Sequence, residues 1–367
     1  MHAALDLAAQ QLRQFAAHML ARDHAALDRL RQVAGLGERA GMGIDEDART
    51  QDRRVVGLAH VAAECADEID DQFALAWALG EPDRLRVEAV YAAPFSFAHR
   101  RAALGGRTLR DERPFNPPGV GMQRSLEEIE RVFGHCGVSS NGRVFAGATD
   151  YLQSADAPQD CAAARDLIAR ARATPADERL YVLALGCVTN IASALLLDPS
   201  IAERIVVVWT SGYPSHAPHV NHSFNLEQDL HATRHLLDCG VPLVYLPGFH
   251  VGAQLRLSLP EVEQWVRGRG AIGDYLHHLF THNPLWELQG IDSFHAHSWV
   301  MWDLICVAWV LDPTLVPTFW TRTPRLDDEK RWVAGDASRA WMREGYAVKR
   351  DAVFAGVFRS LAEGAFG

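Results

Sequence analysis

The chain has no paired cysteines at CxxC spacing, no cluster of Lys and Arg, no basic tail, no internal repeat and no low-complexity tract. Each absence narrows the possibilities. Its six cysteines, at 65, 136, 161, 187, 239 and 306, offer neither a zinc-site spacing nor a disulfide framework. The net charge of -10, from 36 basic and 46 acidic residues, leaves no electrostatic footprint for nucleic acid. Apolar runs fall short of the roughly 20 residues that cross a bilayer, so no membrane span is expected. The N-terminal residues lack a basic segment followed by an apolar core, and a cytoplasmic protein is expected. With 48% hydrophobic and 22% charged residues, the composition is that of a globular protein. Cys187 and Cys306 sit in apolar surroundings and read as small core residues. Carboxylates around Cys65 would raise its pKa, which argues against a nucleophile there.

What the chain does have is a concentration of acid. Five of the eight residues from 64 to 71 are acidic, and Asp70-Asp71 is followed by seven apolar residues, 73–79. A short apolar run precedes them, so the segment reads as strand, acidic loop, buried helix. Ligands of open α/β sheets bind at the carboxyl ends of strands, where such a loop lies. Crowded carboxylates repel unless a cation joins them, and hard cations take oxygen ligands of this kind. The plainer alternative is that Asp70 and Asp71 only cap a helix and complement its dipole.

Residues 1–52 differ from the rest. Leu5, Ala8, Leu12, Phe15, Met19 and Leu20 fall at helical spacing, and glycines at 35, 37, 41 and 43 break the pattern. This predicts a helical N-terminal extension, with a packing or oligomer surface, ahead of a main domain over 53–367. From residue 55 strands and helices alternate. Strands are expected at 85–91, 180–185, 205–209 and 241–246, and helices at 125–133, up to 197, and across 300–311. Continuous apolar strands alternating with helices predict an α/β domain with an open, mostly parallel sheet covered by helices on both faces. Asp303 is the lone acid in the apolar stretch 300–311. A charge facing a core is costly unless paired or metal-bound, so Asp303 is a solvated helix start or a ligand.

Four motifs occur in order: Glu-Ile-Asp-Asp-Gln-Phe-Ala-Leu at 68–75, Ala-Leu-Gly-Cys-Val-Thr-Asn-Ile-Ala at 184–192, Ser-Phe-Asn at 223–225 and Trp-Asp at 302–303. Together they resemble the calcium-dependent nucleoside hydrolases, the inosine–uridine-preferring family, over roughly residues 55–360. The resemblance implies an open α/β fold with one Ca²⁺ at the bottom of the pocket and hydrolysis of the N-glycosidic bond of a ribonucleoside or nucleoside-like metabolite. Asp71 and Asp303 match acidic metal ligands, and Leu185 matches a position whose backbone carbonyl coordinates the ion. Asp70 matches the neighbour that contacts the metal-bound water and the ribose. Asn225 matches a ribose ligand, with Phe224 in the same wall and Asn190 also placed among the substrate-binding residues. The metal lowers the pKa of a bound water, a carboxylate takes its proton, and nearby carboxylates stabilise an oxocarbenium-like transition state. By the same resemblance the partner is a small nucleoside-like molecule, and the protein is a homodimer or homotetramer.

The departures from the family pattern matter as much. The family's first Asp-x-Asp falls on Ala62 and Glu64. Glu64, as ligand and general base, carries one methylene more than Asp, and a displacement near 1 Å can cost about 10²-fold in rate. Asp67 adds a charge to the loop, in a place to make up in part for the missing ligand. Ser223 replaces a Glu that holds the ribose 5′-hydroxyl, which leaves room for a modified or absent 5′ group. Trp302 stands where purine-active members often carry a His acid, and Trp stacks rather than donating a proton. Among the histidines, His250 is the first candidate for the leaving-group acid, because it follows a buried strand at the ligand edge. The competing reading is a catalytically impaired homologue with a ligand-binding or regulatory role. A phosphatase using an aspartyl phosphate needs Asp-x-Asp after the first strand, against which Ala62-Ala63-Glu64 argues.

Overall fold

Alternating strands and helices begin at β1 (Arg53–Ala59) and continue through α1 (Asp70–Leu79), β2 (Leu85–Ala92), α2 (Pro118–His135), β3 (Val144–Phe145) and α3 (Ala162–Ala173). β4 (Leu180–Ala184), α4 (Thr189–Leu197), β5 (Ile205–Ser211), the short α5 (Phe224–Glu227), α6 (Leu230–Asp238) and β6 (Leu243–Pro247) follow. A two-stranded ribbon of β7 (Arg256–Ser258) and β8 (Ser298–Val300) brackets α7 (Leu259–Trp265) and α8 (Gly270–Thr281). The chain closes with α9 (Leu304–Leu311), β9 (Thr318–Arg322), the hairpin of β10 (Arg325–Leu326) and β11 (Trp332–Val333), β12 (Trp341–Gly345) and α10 (Arg350–Glu363). This computed structural model describes residues 53–59, 69–101, 115–283 and 297–364, the first of these by their strand alone. The expected helical extension over 1–52, and the acidic segment with Glu64, lie outside the described residues.

The main sheet runs β3-β2-β1-β4-β5-β6-β12-β9. Neighbours are parallel except β9, which is antiparallel to β12 at the edge. The composition of the strands explains this. β5, Ile-Val-Val-Val-Trp-Thr-Ser, is buried along its whole length, as a central parallel strand covered on both faces must be. β9 is half-buried throughout, which suits an edge. On one face Leu167 of α3, Ile191 and Leu195 of α4 and Leu236 of α6 pack with Val207 and Trp209 of β5. On the other, α9 packs on α1, β4 and β5, and α10 lies against α1. Gly356 of α10 makes that last contact possible: a Cβ there would stand 2.9 Å from Trp77 Cζ2.

The chain builds outward from β1 to β2 and β3, then crosses back to place β4 on β1's other side. β1 and β4 are therefore the topological switch point, with a crevice beyond their carboxyl ends. The register carries neighbouring strands to the same rim: Leu58 pairs with Ala184, Ala184 with Trp209, and Ser211 with Pro247.

Two elements differ from the sequence expectation. α2 starts at Pro118 rather than near residue 125, because Pro at the first turn is pre-set for helix. The apolar stretch 300–311 is not one helix. Met301 N–H donates to Leu255 O at 2.8 Å, which holds the chain to the β7–β8 ribbon, and the helix begins only after Asp303.

Asp229 shows how a single acid joins several elements. Its carboxylate caps α6 through Ala232 N–H at 2.9 Å and also accepts from Leu152 N–H at 2.9 Å and Thr189 Oγ1 at 2.7 Å. Asp229→Ala strands these donors in a site only 2% exposed. The expected loss is about 2 kcal/mol, read from urea denaturation.

Candidate active site

Three segments bring acid and amide to the crevice. Asp70 and Asp71 open α1 at 2% and 0% exposure. Both sit in the first turn of α1, where Ile69 is the N-cap and makes no side-chain cap bond, and the Asp70 carboxyl also meets its own backbone amide, so the helix start takes part in holding it. Asp303, at the N-cap of α9, is 2% exposed and makes no capping bond either, so it is not the solvated helix start that the sequence left open. The Asp70 carboxyl lies against the Trp302 and Asp303 amides and the Asp303 carboxyl. Burial pushes it up to about 7, while those contacts pull the other way. Asp70 Oδ1 is buried without a hydrogen-bond partner. A carboxylate so placed takes a proton or a cation.

Asn225 completes this floor. Its Nδ2 donates to Leu185 O at 2.6 Å and Thr210 O at 3.1 Å, tying together the carboxyl ends of β4 and β5. Cys306, one turn into α9, lies between the two groups: its Sγ is 4.0 Å from Ala184 O, and the Thr210 backbone faces it. Burial, with the charge of Asp303, raises the Cys306 thiol far above its ordinary value. It is an inert spacer.

One wall is aromatic. Trp302 meets Phe249 edge to face at 5.9 Å, and Phe249 packs on Tyr213 at 4.6 Å. Tyr213 in turn touches His219 at 4.6 Å and His250 at 5.2 Å. His250 is exposed and has φ of 72°, a left-handed conformation seldom adopted by non-glycine residues.

A second flank is built on α5. Ser223 Oγ is 2.8 Å from Ser211 Oγ, at the end of β5. Phe224 packs against Phe97 at 4.3 Å and Phe95 at 5.2 Å, with the Arg100 guanidinium 5.0 Å from its ring centre. Beneath it the Glu227 carboxylate, 7% exposed, receives Arg100 at 3.0 Å, His222 at 2.8 Å and Lys330. Burial alone would raise the Glu227 carboxyl, but the hydrogen bonds from Lys330 and His222 and the charge of Arg100 hold it below its ordinary 4.5. A carboxyl with a depressed pKa contributes stability above its unfolded pKa and loses it as pH falls through the folded value. The stability advantage over Glu227→Gln should be full at pH 6 and shrink below about pH 4.5, as followed by thermal melting.

Asn190 has a different place. Its Nδ2 donates to Ala92 O at 2.9 Å, its Oδ1 accepts from Ala148 N–H at 2.9 Å, and the residue is 1% exposed. The amide braces the 147–148 loop against the end of β2.

The sequence model of the family described as inosine-uridine preferring nucleoside hydrolase matches residues 64–349. The chain belongs to that family. Nucleoside hydrolases are N-glycosyl hydrolases acting on small nucleosides, and family and fold together support hydrolysis of an N-glycosidic bond by this chain. A plant nucleoside hydrolase is similar at TM-score 0.64 and 16% identity, over 85% of this chain and 100% of its own. A purine-preferring ribonucleoside hydrolase from Gardnerella vaginalis is similar at TM-score 0.64 and 18% identity, over 84% and 98%. The type III effector protein XopQ, whose crystal structure is of its complex with adenosine diphosphate ribose, is similar at TM-score 0.58 and 15% identity, over 86% and 95%. Likenesses at such identity show the fold. No curated protein matches the chain by sequence. No helix among the described residues is long and apolar enough to cross a membrane.

The nucleoside hydrolase family generally binds a metal ion. Here the donors fit a hard cation in kind: carboxylate and carbonyl oxygens, and in Asp70 a buried orphan oxygen. Among the described residues no group of three or more His, Cys, Asp or Glu side chains is gathered as a metal site, and Glu64 lies outside them.

Of the residues singled out from sequence, Asp70, Asp303, Trp302, Asn225 and Leu185 come together around one floor, with Asp71 on the same helical turn as Asp70. Ser223 and Phe224 form a flank. Arg100, Thr210 and Cys306 were not singled out as parts of the site. Thr210-Ser211 had a local signal, two polar residues ending a buried apolar strand. Arg100 had none, since its partners are more than a hundred residues away.

Proposed function

We propose that this crevice hydrolyses the N-glycosidic bond of a ribonucleoside or nucleoside-like metabolite in a calcium-dependent reaction. The observation that carries the reading is the buried Asp70–Asp303 pair, near the polar floor made by Asn225 and the ends of β4 and β5 and the aromatic ring of Trp302. Glu64, Asp71, Asp303 and the Leu185 carbonyl would hold the ion. Calcium supplies acidification of a water when bound. Glu64 would serve as the general base, and Asp70 would face the ribose and stabilise positive charge as the bond breaks. Asn225, already held between two strand ends, presents its amide to a ribose hydroxyl. Trp302 offers a face for the base, and His250, across Phe249 and Tyr213, protonates the departing base. Asn190 supports the pocket from behind.

Ser223 leaves space at the 5′ position, and a nucleoside-like compound substituted there fits this reading. That XopQ was crystallised with adenosine diphosphate ribose favours the same direction. The protein acts in the cytoplasm as a homodimer or homotetramer, with residues 1–52 as a helical extension to the domain over 53–367. A second reading, a ligand-binding or regulatory homologue, is favoured by Glu64 and Ala62 in place of the family aspartates.

The test is release of free base from purine and pyrimidine nucleosides, with and without 5′ substituents, followed by chromatography. Release that chelator stops and calcium restores supports the hydrolase. No release by folded, calcium-supplemented protein across the panel overturns it and leaves the second reading.

A further inference from the structure

We propose that Arg100 and Lys330 form an anion site for a phosphoryl group on the 5′ carbon of the substrate's ribosyl unit. This deepens the proposed function and rests on it. Three observations converge on the flank at Ser223. First, Ser223 and Ser211 are neutral hydroxyl groups 2.8 Å apart, so no carboxylate at either position repels an anion. Second, the Arg100 guanidinium is fastened immediately beside Ser223. It donates to the carbonyl of His222 at 2.8 Å and to Glu227 at 3.0 Å, both through Nη2, and rests on the Phe224 ring. An oriented guanidinium suits bidentate recognition of phosphate. Third, Lys330 reaches the same Glu227 from the β10–β11 turn, so two fixed cations share one buried carboxylate. Surface ion pairs alone would not need this arrangement. Here Glu227 orients both cations, and its burial at 7% exposure keeps it beneath them.

The loop that carries Arg100 is itself anchored. Ser96 N–H donates to Gln228 Oε1 at 3.1 Å, and Tyr151 OH donates to the same oxygen at 2.8 Å. The cation is therefore presented by a braced segment at the carboxyl end of β2, not by an isolated surface side chain.

The experiment compares ribose, ribose 5-phosphate and inorganic phosphate as ligands of the full-length, calcium-supplemented protein by calorimetry. Ribose 5-phosphate should bind about 10-fold or more tightly than ribose, and that ratio should fall toward one in Arg100→Gln and in Lys330→Gln. Arg100→Lys, which keeps charge but not the planar fork, should recover only part of it. Equal binding of the two sugars overturns the anion site while leaving the hydrolase reading intact. Inorganic phosphate binding as tightly as ribose 5-phosphate also overturns it, since the anion then needs no ribosyl unit. Binding of neither sugar overturns the anion site, and base release then decides the hydrolase reading by itself. A ratio unchanged in both variants, each folded by its melting curve, assigns the phosphoryl group elsewhere and contradicts the proposal.

Discussion

Asp303→Asn is expected to lower kcat/KM for base release by about 10³-fold or more while leaving thermal stability unchanged or raised. The two halves of this result have one cause. Asp303 is 2% exposed and lies against the Asp70 carboxyl, so two acids share a site from which water is largely excluded. Folding does not favour such a pair, and an isosteric amide relieves it. The proposed reaction needs it, because Asp303 would help hold the ion while Asp70 would place negative charge where positive charge develops. Asp70→Asn should behave alike, and the double variant should lose much less than the sum of the two single losses, since residues acting as one unit are not additive. Steady-state kinetics on the three variants, with melting curves alongside, measures both halves. A fall in stability of several kcal/mol without a selective loss of rate would make the pair structural.

Gly147→Ala should be the most damaging single-methyl change outside the acidic floor. A Cβ at 147 would stand 1.8 Å from Ala92 O and 2.6 Å from Asn190 Nδ2. The first atom is backbone in β2, and the second is the amide that braces this loop, so neither yields cheaply. The expected cost is about 3 kcal/mol, from overpacking together with the loss of the Asn190 hydrogen bonds. Gly134→Ala is the internal contrast. Nothing lies within 4 Å of its added methyl, and replacing Gly in a helix should gain about 0.5 kcal/mol or more. Urea denaturation of the two variants reads the difference. Similar stabilities would mean that the 147–148 loop is not packed against β2 as described.

The order of elements was legible in the sequence because parallel strands covered on both faces are near-continuous apolar runs, as β4, β6 and β5 up to Trp209 are. Asp70, Asp71 and Asp303 stood out locally, as acids beside or within apolar runs, whereas Asn225 and Leu185 were singled out only through the family likeness that the motif order carried. Apolar periodicity alone placed residues 300–311 in one helix, and the break at Asp303 depends on Leu255, a partner in another strand's neighbourhood. Asn190 could be named but not understood: its amide is taken up by the backbone at 92 and 148, which only the fold brings near. Arg100 was silent for the same reason, as its environment is assembled from residues 222, 224 and 227.

The most direct test of the acidic crevice is a calorimetric calcium titration of chelator-stripped, full-length protein. The account predicts one Ca²⁺ per chain, with binding lost in Asp71→Ala and in Asp303→Ala while both variants stay folded. A folded wild-type protein that takes up no calcium at millimolar concentration would contradict it, and the buried acids would then have to be explained without the ion.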